Sequence, residues 1–379
     1  MKFAHISDLH LGKRLHEVSL LEDQAYILDE TRKILRDEEP DAVLVAGDIY
    51  DKSAPSAEAV RLFDDFLSAL SADGQTVFAI SGNHDSAARV AYGGRIMAKS
   101  GVYLSAPEYR GEVFSATLED RDGPVDIYLL PFIKPIHVSL AFPEEKIESY
   151  TDALRVAVEK MPIDPKRRSV LVAHQFVTGA VRSDSEDISV GGLDNVDAVV
   201  FAPFSYVALG HIHRPQNIGS PRIRYSGAPL KYSFSEAGDE KSITMAELDG
   251  KGEVSLRTVP LTPKHDLREI KGTYDELMKK ENYQDTATDD YLRVTLTDED
   301  DVPDAMRNLK TVYTNILRLD YDNTRARSGG AIEELPEAET KTPMELVAEF
   351  YAMRNGQPMS EAQSGYMRRL AETVWEEQA

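Results

Sequence analysis

Five short apolar runs in the sequence each end in residues that bind metals or move protons. Phe3-Ala4-His5-Ile6 leads through Ser7 into Asp8-Leu9-His10, and Ala42-Val43-Leu44-Val45-Ala46 leads into Gly47-Asp48. Val77-Phe78-Ala79-Ile80 precedes Gly82-Asn83-His84-Asp85, Val170-Leu171-Val172-Ala173 precedes His174, and Val207-Ala208-Leu209-Gly210 precedes His211-Ile212-His213. A lone D-x-H is ordinarily a turn aspartate beside a solvated histidine. The weight lies in the series D-x-H, G-D-x-x-D, G-N-H-D, a strand-terminal His and G-H-x-H, in that order. Asp8, His10, Asp48, Asn83, His174, His211 and His213 are too many donors for a closed four-coordinate zinc and suit two adjacent octahedral ions. Asp48, with two carboxylate oxygens, can bridge them. Asp8 and His10 reach one ion only if the strand has begun to turn, and the same holds for His211 and His213. Two divalent ions roughly 3.5–4 Å apart acidify a shared water and clamp the attacking and leaving oxygens of an in-line phosphoryl displacement. The reaction class is phosphoester hydrolysis. His84, next to a ligand, is placed to stabilise charge on the phosphoryl oxygens or to protonate the leaving oxygen.

These groups meet only if the strands end together, as they do at the carboxyl edge of an α/β sheet, where ligands bind. Between the first two strands, residues 20–38 place Leu21, Ala25, Leu28 and Leu35 at helical spacing, with Pro40 as the stop. Ser56 can cap a second helix whose buried face is Ala59, Phe63, Phe66, Leu67 and Leu70. This βαβαβ alternation predicts an α/β sandwich. Short strands are expected over 113–118 and 125–130 and a helix over 149–161. Strands over 223–227, 242–248 and 254–259 are expected to close a second sheet. Pro260 to Pro263 is the first plausible boundary, and 265–321 then reads as a compact strand-helix-strand-helix-strand unit. Residues 325–342 have little to bury and read as a linker. Beyond it lie two amphipathic helices, one with Leu346, Val347, Phe350 and Tyr351, the other with Met367, Leu370, Val374 and Trp375. So short a segment has no core of its own, and a partner is expected to cover it.

The 379 residues contain no cysteine, so any metal must be held by oxygen and nitrogen. No apolar run approaches the ~20 residues that span a bilayer, and no charged-then-apolar leader precedes Lys2, so a cytoplasmic protein is expected. The net charge of -22 argues against unaided electrostatic binding of nucleic acid. A partner could supply the positive surface.

At the level of motifs, the chain resembles the calcineurin-like metallophosphoesterases. Within them, DLHLGK (8–13), GDIYD (47–51), GNHDSAAR (82–89), HQF (174–176), GHIHRPQ (210–216) and YSGAPLKYSFSE (225–236) resemble the bacterial SbcD nuclease subunits, over essentially residues 1–260. The resemblance implies a four-layer α/β/β/α sandwich with a small α/β cap and a C-terminal helical tail. It implies a nuclease domain over 1–262, a capping domain over 263–324, a linker over 325–342 and a partner-binding segment over 343–379. It implies manganese held by Asp8, His10, Asp48 and His213 at one position and by Asp48, Asn83, His174 and His211 at the other, with His84 as the catalytic imidazole. The implied partner is the coiled-coil ATPase SbcC, gripped through residues such as Phe350, Tyr351, Leu370 and Trp375. The implied substrates are DNA ends and hairpins, in repair, recombination and replication at the nucleoid. A homodimer through the first helices is also implied. Archaeal and eukaryotic relatives carry a second histidine where this chain has Asp51, so that imidazole's role does not carry over.

Other residues have plainer readings. His5 reads as a packed core histidine, and His16, His137 and His265 as surface residues. Asp51 is either a hydrogen-bond partner of a ligating histidine or a turn cap. Lys13, Arg14, Arg89 and Arg214 either meet phosphate or offset nearby carboxylates. The alternative functions are a small-molecule or phosphoprotein phosphoesterase on the same fold, and a scaffold that has lost catalysis. Phosphoprotein phosphatases usually read GNHE, which is absent here, and the full ligand set argues against the scaffold.

Overall fold

The computed structural model describes residues 1–186, 194–323, 348–352 and 358–367. The chain divides into two compact units, 1–298 with 302–320, and 299–301 with 321–379.

The first unit is built on two six-stranded sheets. The first runs Val254–Pro260, Ser242–Leu248, Lys2–Ile6, Ala42–Ala46, Val77–Ile80, Val102–Leu104. The second runs Gln216–Ile218, Ser220–Tyr225, Tyr206–Gly210, Arg168–His174, Gly123–Leu130, Phe114–Asp120. Central strands such as AVLVA and VFAI are buried along their whole length. That explains their unbroken apolar sequence, since a parallel sheet is covered on both faces. Phe3, Leu44, Phe78, Ile127, Val172 and Tyr206 fill the space between the sheets. The helices Leu21–Glu38 and Ala57–Ala72 cover the far face of the first sheet through Ile27, Leu35, Phe63, Leu67 and Leu70. The helix Tyr150–Glu159, capped by the Ser149 hydroxyl, covers the second through Leu154 and Val158. The layers are therefore α/β/β/α. A separate three-stranded sheet joins Leu267–Gly272, Tyr291–Leu296 and Asn315–Tyr321, with short helices between its strands.

Three sequence expectations change. The strands Ser242–Leu248 and Val254–Pro260 join the first sheet, where Ser242–Leu248 pairs antiparallel with Lys2–Ile6. Only Ser220–Tyr225 extends the second sheet as expected. Alternation says that a segment is a strand, and the pairing edge is settled by long-range contacts that the pattern does not encode. The first helix is rolled relative to its expected stripe, for Ala25 is exposed while Asp23, Gln24, Ile27, Leu28, Thr31 and Leu35 are buried. It ends at Glu38 as expected, with Glu39 left-handed (φ 45°) directly before Pro40. His265 is half-buried, its Nδ1 2.8 Å from Asp23 Oδ1, while the Tyr291 hydroxyl donates to Asp23 Oδ2 at 2.7 Å.

In the second unit, residues 348–352 and 361–367 are helical, with Phe350 61% exposed and Gln363 Nε2 donating to the Tyr351 hydroxyl at 2.9 Å. Leu370, Trp375 and the expected linker lie outside the described residues. Among the described residues no helix is long and apolar enough to cross a membrane.

Candidate metal centre

The five strands that end in polar motifs all deliver them to one place. Past the strands, the two leading loops stay stitched together, Asp8 N donating to Gly47 O (3.1 Å), His10 N to Asp48 O (2.9 Å) and Leu11 N to Ile49 O (2.9 Å). The turn that the two-residue spacings required is present. Asp8 (φ 55°), His10 (43°), Asp48 (47°) and His211 (100°) all have positive φ, a conformation that non-glycine residues hold only where the surroundings impose it. Two glycines allow the close approach. A Cβ on Gly82 would lie 2.1 Å from Asp48 Oδ1, and one on Gly210 would lie 1.8 Å from the Ala46 carbonyl oxygen.

Asp48 Oδ2 is at the centre, 3.3 Å from His174 Nε2, 3.6 Å from His10 Nε2 and 4.0 Å from His84 Nε2. On one side, ligand atoms of Asp8, His10 and His213 lie within 4.8 Å of one another, with the His10 and His213 Nε2 atoms 3.0 Å apart. On the other side, Asn83 Oδ1 is 3.0 Å from His174 Nε2 and 2.9 Å from His211 Nδ1. His174 Nδ1 donates to the Ala46 carbonyl at 2.8 Å, and its Nε2 faces Asn83 and Asp48. Carboxylate and amide oxygens gathered against imidazole nitrogens make a donor set that a divalent cation can hold. Burial pushes the Asp8 carboxyl up to about 6 and His211 down to about 3, and it holds His10 well below its ordinary value. Burial would lower His174 as well, but the Asp48 charge raises it to about 9, and the imidazoles around Asp48 keep that carboxyl well below its usual range despite burial. Buried oxygen and imidazole donors with two carboxylates and no cysteine fit hard divalent ions.

Residues around the cluster hold its loops in place. Gln24, in the first helix, donates from Nε2 to the His10 carbonyl (2.7 Å) and accepts from Gly12 N (2.9 Å), while the Tyr232 hydroxyl donates to the Leu9 carbonyl (2.5 Å). Asp85 accepts from the backbone N–H of Ile49 (3.0 Å), Tyr50 (2.9 Å) and Gly82 (2.9 Å), which ties the Asp48 loop to the Asn83 loop. Ser185 and Glu236 lie against His213.

The flanking charges mostly face protein. Lys13 Nζ is 3.0 Å from Asp51 Oδ1, which is itself 3.9 Å from His10 Nδ1. That nitrogen is buried without a hydrogen-bond partner. Arg14 bonds the Glu17 carbonyl, Arg214 pairs with Asp239 at 2.9 Å and Arg89 is exposed. His5 is a core residue as expected, with the Tyr206 hydroxyl 2.9 Å from Nδ1 and the Leu209 carbonyl 3.1 Å from Nε2.

The family model for the calcineurin-like phosphoesterases matches residues 1–215, and that for the Type 5 capsule protein repressor C-terminal domain matches residues 263–355. The chain is 32% identical over 382 residues to the SbcD component of the SbcCD nuclease of Staphylococcus epidermidis, covering 98% of each chain. The chain belongs to the calcineurin-like phosphoesterases, in their SbcD branch. The corresponding SbcD protein of Staphylococcus saprophyticus is likewise 32% identical, over 100% of this chain and 99% of that one. Among solved structures, a dimetal phosphatase from Danio rerio is similar with a TM-score of 0.35 at 13% identity, over 69% of this chain and 99% of that one. The candidate ligand residues, from Asp8 to His213, fall within residues 1–215, the stretch that the phosphoesterase model matches.

Proposed function

We propose that this chain is the nuclease subunit of an SbcCD-type complex, hydrolysing phosphodiester bonds of DNA with two divalent ions, manganese in the cell. The observation that carries the reading is the convergence on Asp48 of ligand sets from two sheets, with His84 beside them. One ion is assigned to Asp8, His10, Asp48 and His213, the other to Asp48, Asn83, His174 and His211. When bound, such a pair of ions acidifies water and neutralises charge on the phosphoryl oxygens.

The remaining work falls to side chains. Asp48 is central: its Oδ2 faces the imidazoles of both groups while Oδ1 accepts from His84 N at 2.9 Å, so this one carboxylate would serve both positions. His84 Nδ1 donates to the Asp51 carbonyl at 3.1 Å, which turns Nε2 toward the cluster, 4.0 Å from Asp48 Oδ2. From there a protonated His84 can hydrogen-bond a phosphoryl oxygen and pass its Nε2 proton to the departing oxygen. The backbone of Asp51 thus orients the catalytic imidazole, while its carboxylate holds Lys13 near the mouth.

In the assembly, residues 1–262 form the nuclease domain and 263–324 the cap. The segment 343–379, joined through 325–342, docks on the coiled-coil ATPase SbcC, and two copies of this chain complete a heterotetramer acting on DNA ends and hairpins at the nucleoid of the cytoplasm. An ATPase partner would supply the positive surface that a net charge of -22 lacks. The test is manganese-dependent hydrolysis of labelled hairpin DNA, an aryl phosphodiester and a phosphoprotein. Hairpin cleavage supports the reading; hydrolysis of the phosphoprotein alone rejects it.

A further inference from the structure

We infer that Ser185 and Glu236 are positioning residues that fix the tautomer of His213 and thereby set the affinity of one of the two metal positions. The inference rests on the two-ion reading above and adds to it which residues outside the ligand set govern which ion.

Glu236 is fully buried. Its Oε2 lies 2.5 Å from the buried Lys241 ammonium, an ion pair in which the carboxylate is anionic. An anionic carboxylate only accepts. Ser185 Oγ, 2.5 Å from Glu236 Oε1, must therefore spend its one proton on that oxygen. The same Ser185 oxygen lies 2.7 Å from His213 Nδ1 and, its own proton already committed, accepts Nδ1–H. The His213 proton is thus fixed on Nδ1, and the Nε2 lone pair points at the cluster, 3.0 Å from His10 Nε2.

The backbone of His213 is held from the same quarter. Glu186 Oε1 accepts from His213 N at 2.7 Å, and Lys241 Nζ donates to the His213 carbonyl at 2.9 Å while contacting Glu236 Oε2 at 2.5 Å. Ligating imidazoles are commonly oriented through their second nitrogen by a carboxylate or carbonyl. Here the carboxylate acts through an intervening hydroxyl, and the amide and carbonyl of the same residue are fastened by the neighbouring side chains. His174 is oriented differently, by the Ala46 carbonyl within the sheet. Loosening the Ser185–Glu236 pair should therefore reach the ion assigned to Asp8, His10, Asp48 and His213 and spare the other.

The test is a manganese titration of the metal-free full chain, followed by bound metal and by electron paramagnetic resonance. Wild type should take up two ions and give a spin-coupled spectrum. Ser185→Ala and Glu236→Gln should bind one ion about ten- to a hundredfold more weakly and the other with unchanged affinity, passing through an uncoupled six-line spectrum. Ser185→Thr, which keeps the hydroxyl, should restore the coupled pair. Ser185 is half-buried in a loop, so its replacement tests the relay even if Glu236→Gln fails to fold. Two ions bound by Ser185→Ala with wild-type affinity and coupling would overturn the inference while leaving the metal centre standing, and equal weakening of both ions would also overturn it. Fewer than two ions in wild type would remove the two-metal reading itself.

Discussion

His84 separates chemistry from metal binding at the level of one side chain. Its Nε2 faces Asp48 while Nδ1 is committed to the Asp51 carbonyl, and it belongs to neither proposed ligand set. His84→Ala is expected to retain two manganese ions and to lose ~10²–10³ in hydrolysis rate, the cost of removing a single stabiliser of developing charge. Metal content and single-turnover cleavage, measured on the same preparation, check this; near-normal cleavage would leave His84 a packing residue. At this scale the sequence is informative wherever chemistry has its own residue type. Asp8, His10, Asp48, Asn83, His174, His211 and His213 are legible because each follows an apolar strand. Gln24, Ser185 and Glu236 are not, because glutamine, serine and glutamate occur everywhere and only three-dimensional proximity gives them their roles.

The elements place these side chains by holding two sheets in register, and a buried histidine reports on that packing. His5 joins the first sheet to the second through Tyr206 and Leu209, and burial, followed by the nearby Arg224 charge, lowers it to about 3. Unfolded histidine titrates near 6.5, so the unfolded chain binds this proton first. The stabilising contribution is therefore complete above pH 6.5 and is lost as the pH falls from there toward 3. Between pH 7 and pH 5 this residue alone should cost about 2 kcal/mol of folding stability. His5→Gln should lose that much less over the same interval in denaturant unfolding, and an identical pH dependence in the two proteins would show that His5 does not carry the effect. The elements themselves are largely legible from their apolar patterns, including the helix capped by Ser149 and the strand-helix alternation after His265. The two strands after Gly238 are recognisable as strands but not by sheet, since each pattern fits either edge. The roll of the first helix is hidden because its buried face contains Asp23 and Gln24, which periodicity counts as solvent-facing.

For the whole molecule, the tail poses the partner question. Phe350 is 61% and Tyr366 60% exposed, and an amphipathic helix with exposed aromatics suits docking in a groove, with an aromatic such as Phe350 or Trp375 as its anchor. Protein ending at Ala331 is expected to fold, bind manganese and cut single-stranded DNA, yet to lose co-purification with the ATPase and ATP-dependent cutting of duplex ends. Co-purification at wild-type yield would sink the docking assignment, and loss of manganese-dependent activity would place the tail within the catalytic unit. In the proposed function, metal binding, chemistry and the role of His213 would all depend on Asp48 being shared by two ions. The most direct test compares Asp48→Asn with wild type for bound manganese and hairpin DNA cleavage, since the substitution removes the central negative charge with little change in shape. Two ions and manganese-dependent cleavage in wild type, with the ion pair and cleavage both lost in the variant, is the predicted result; a variant that still binds two ions with wild-type affinity and cuts the hairpin would contradict it.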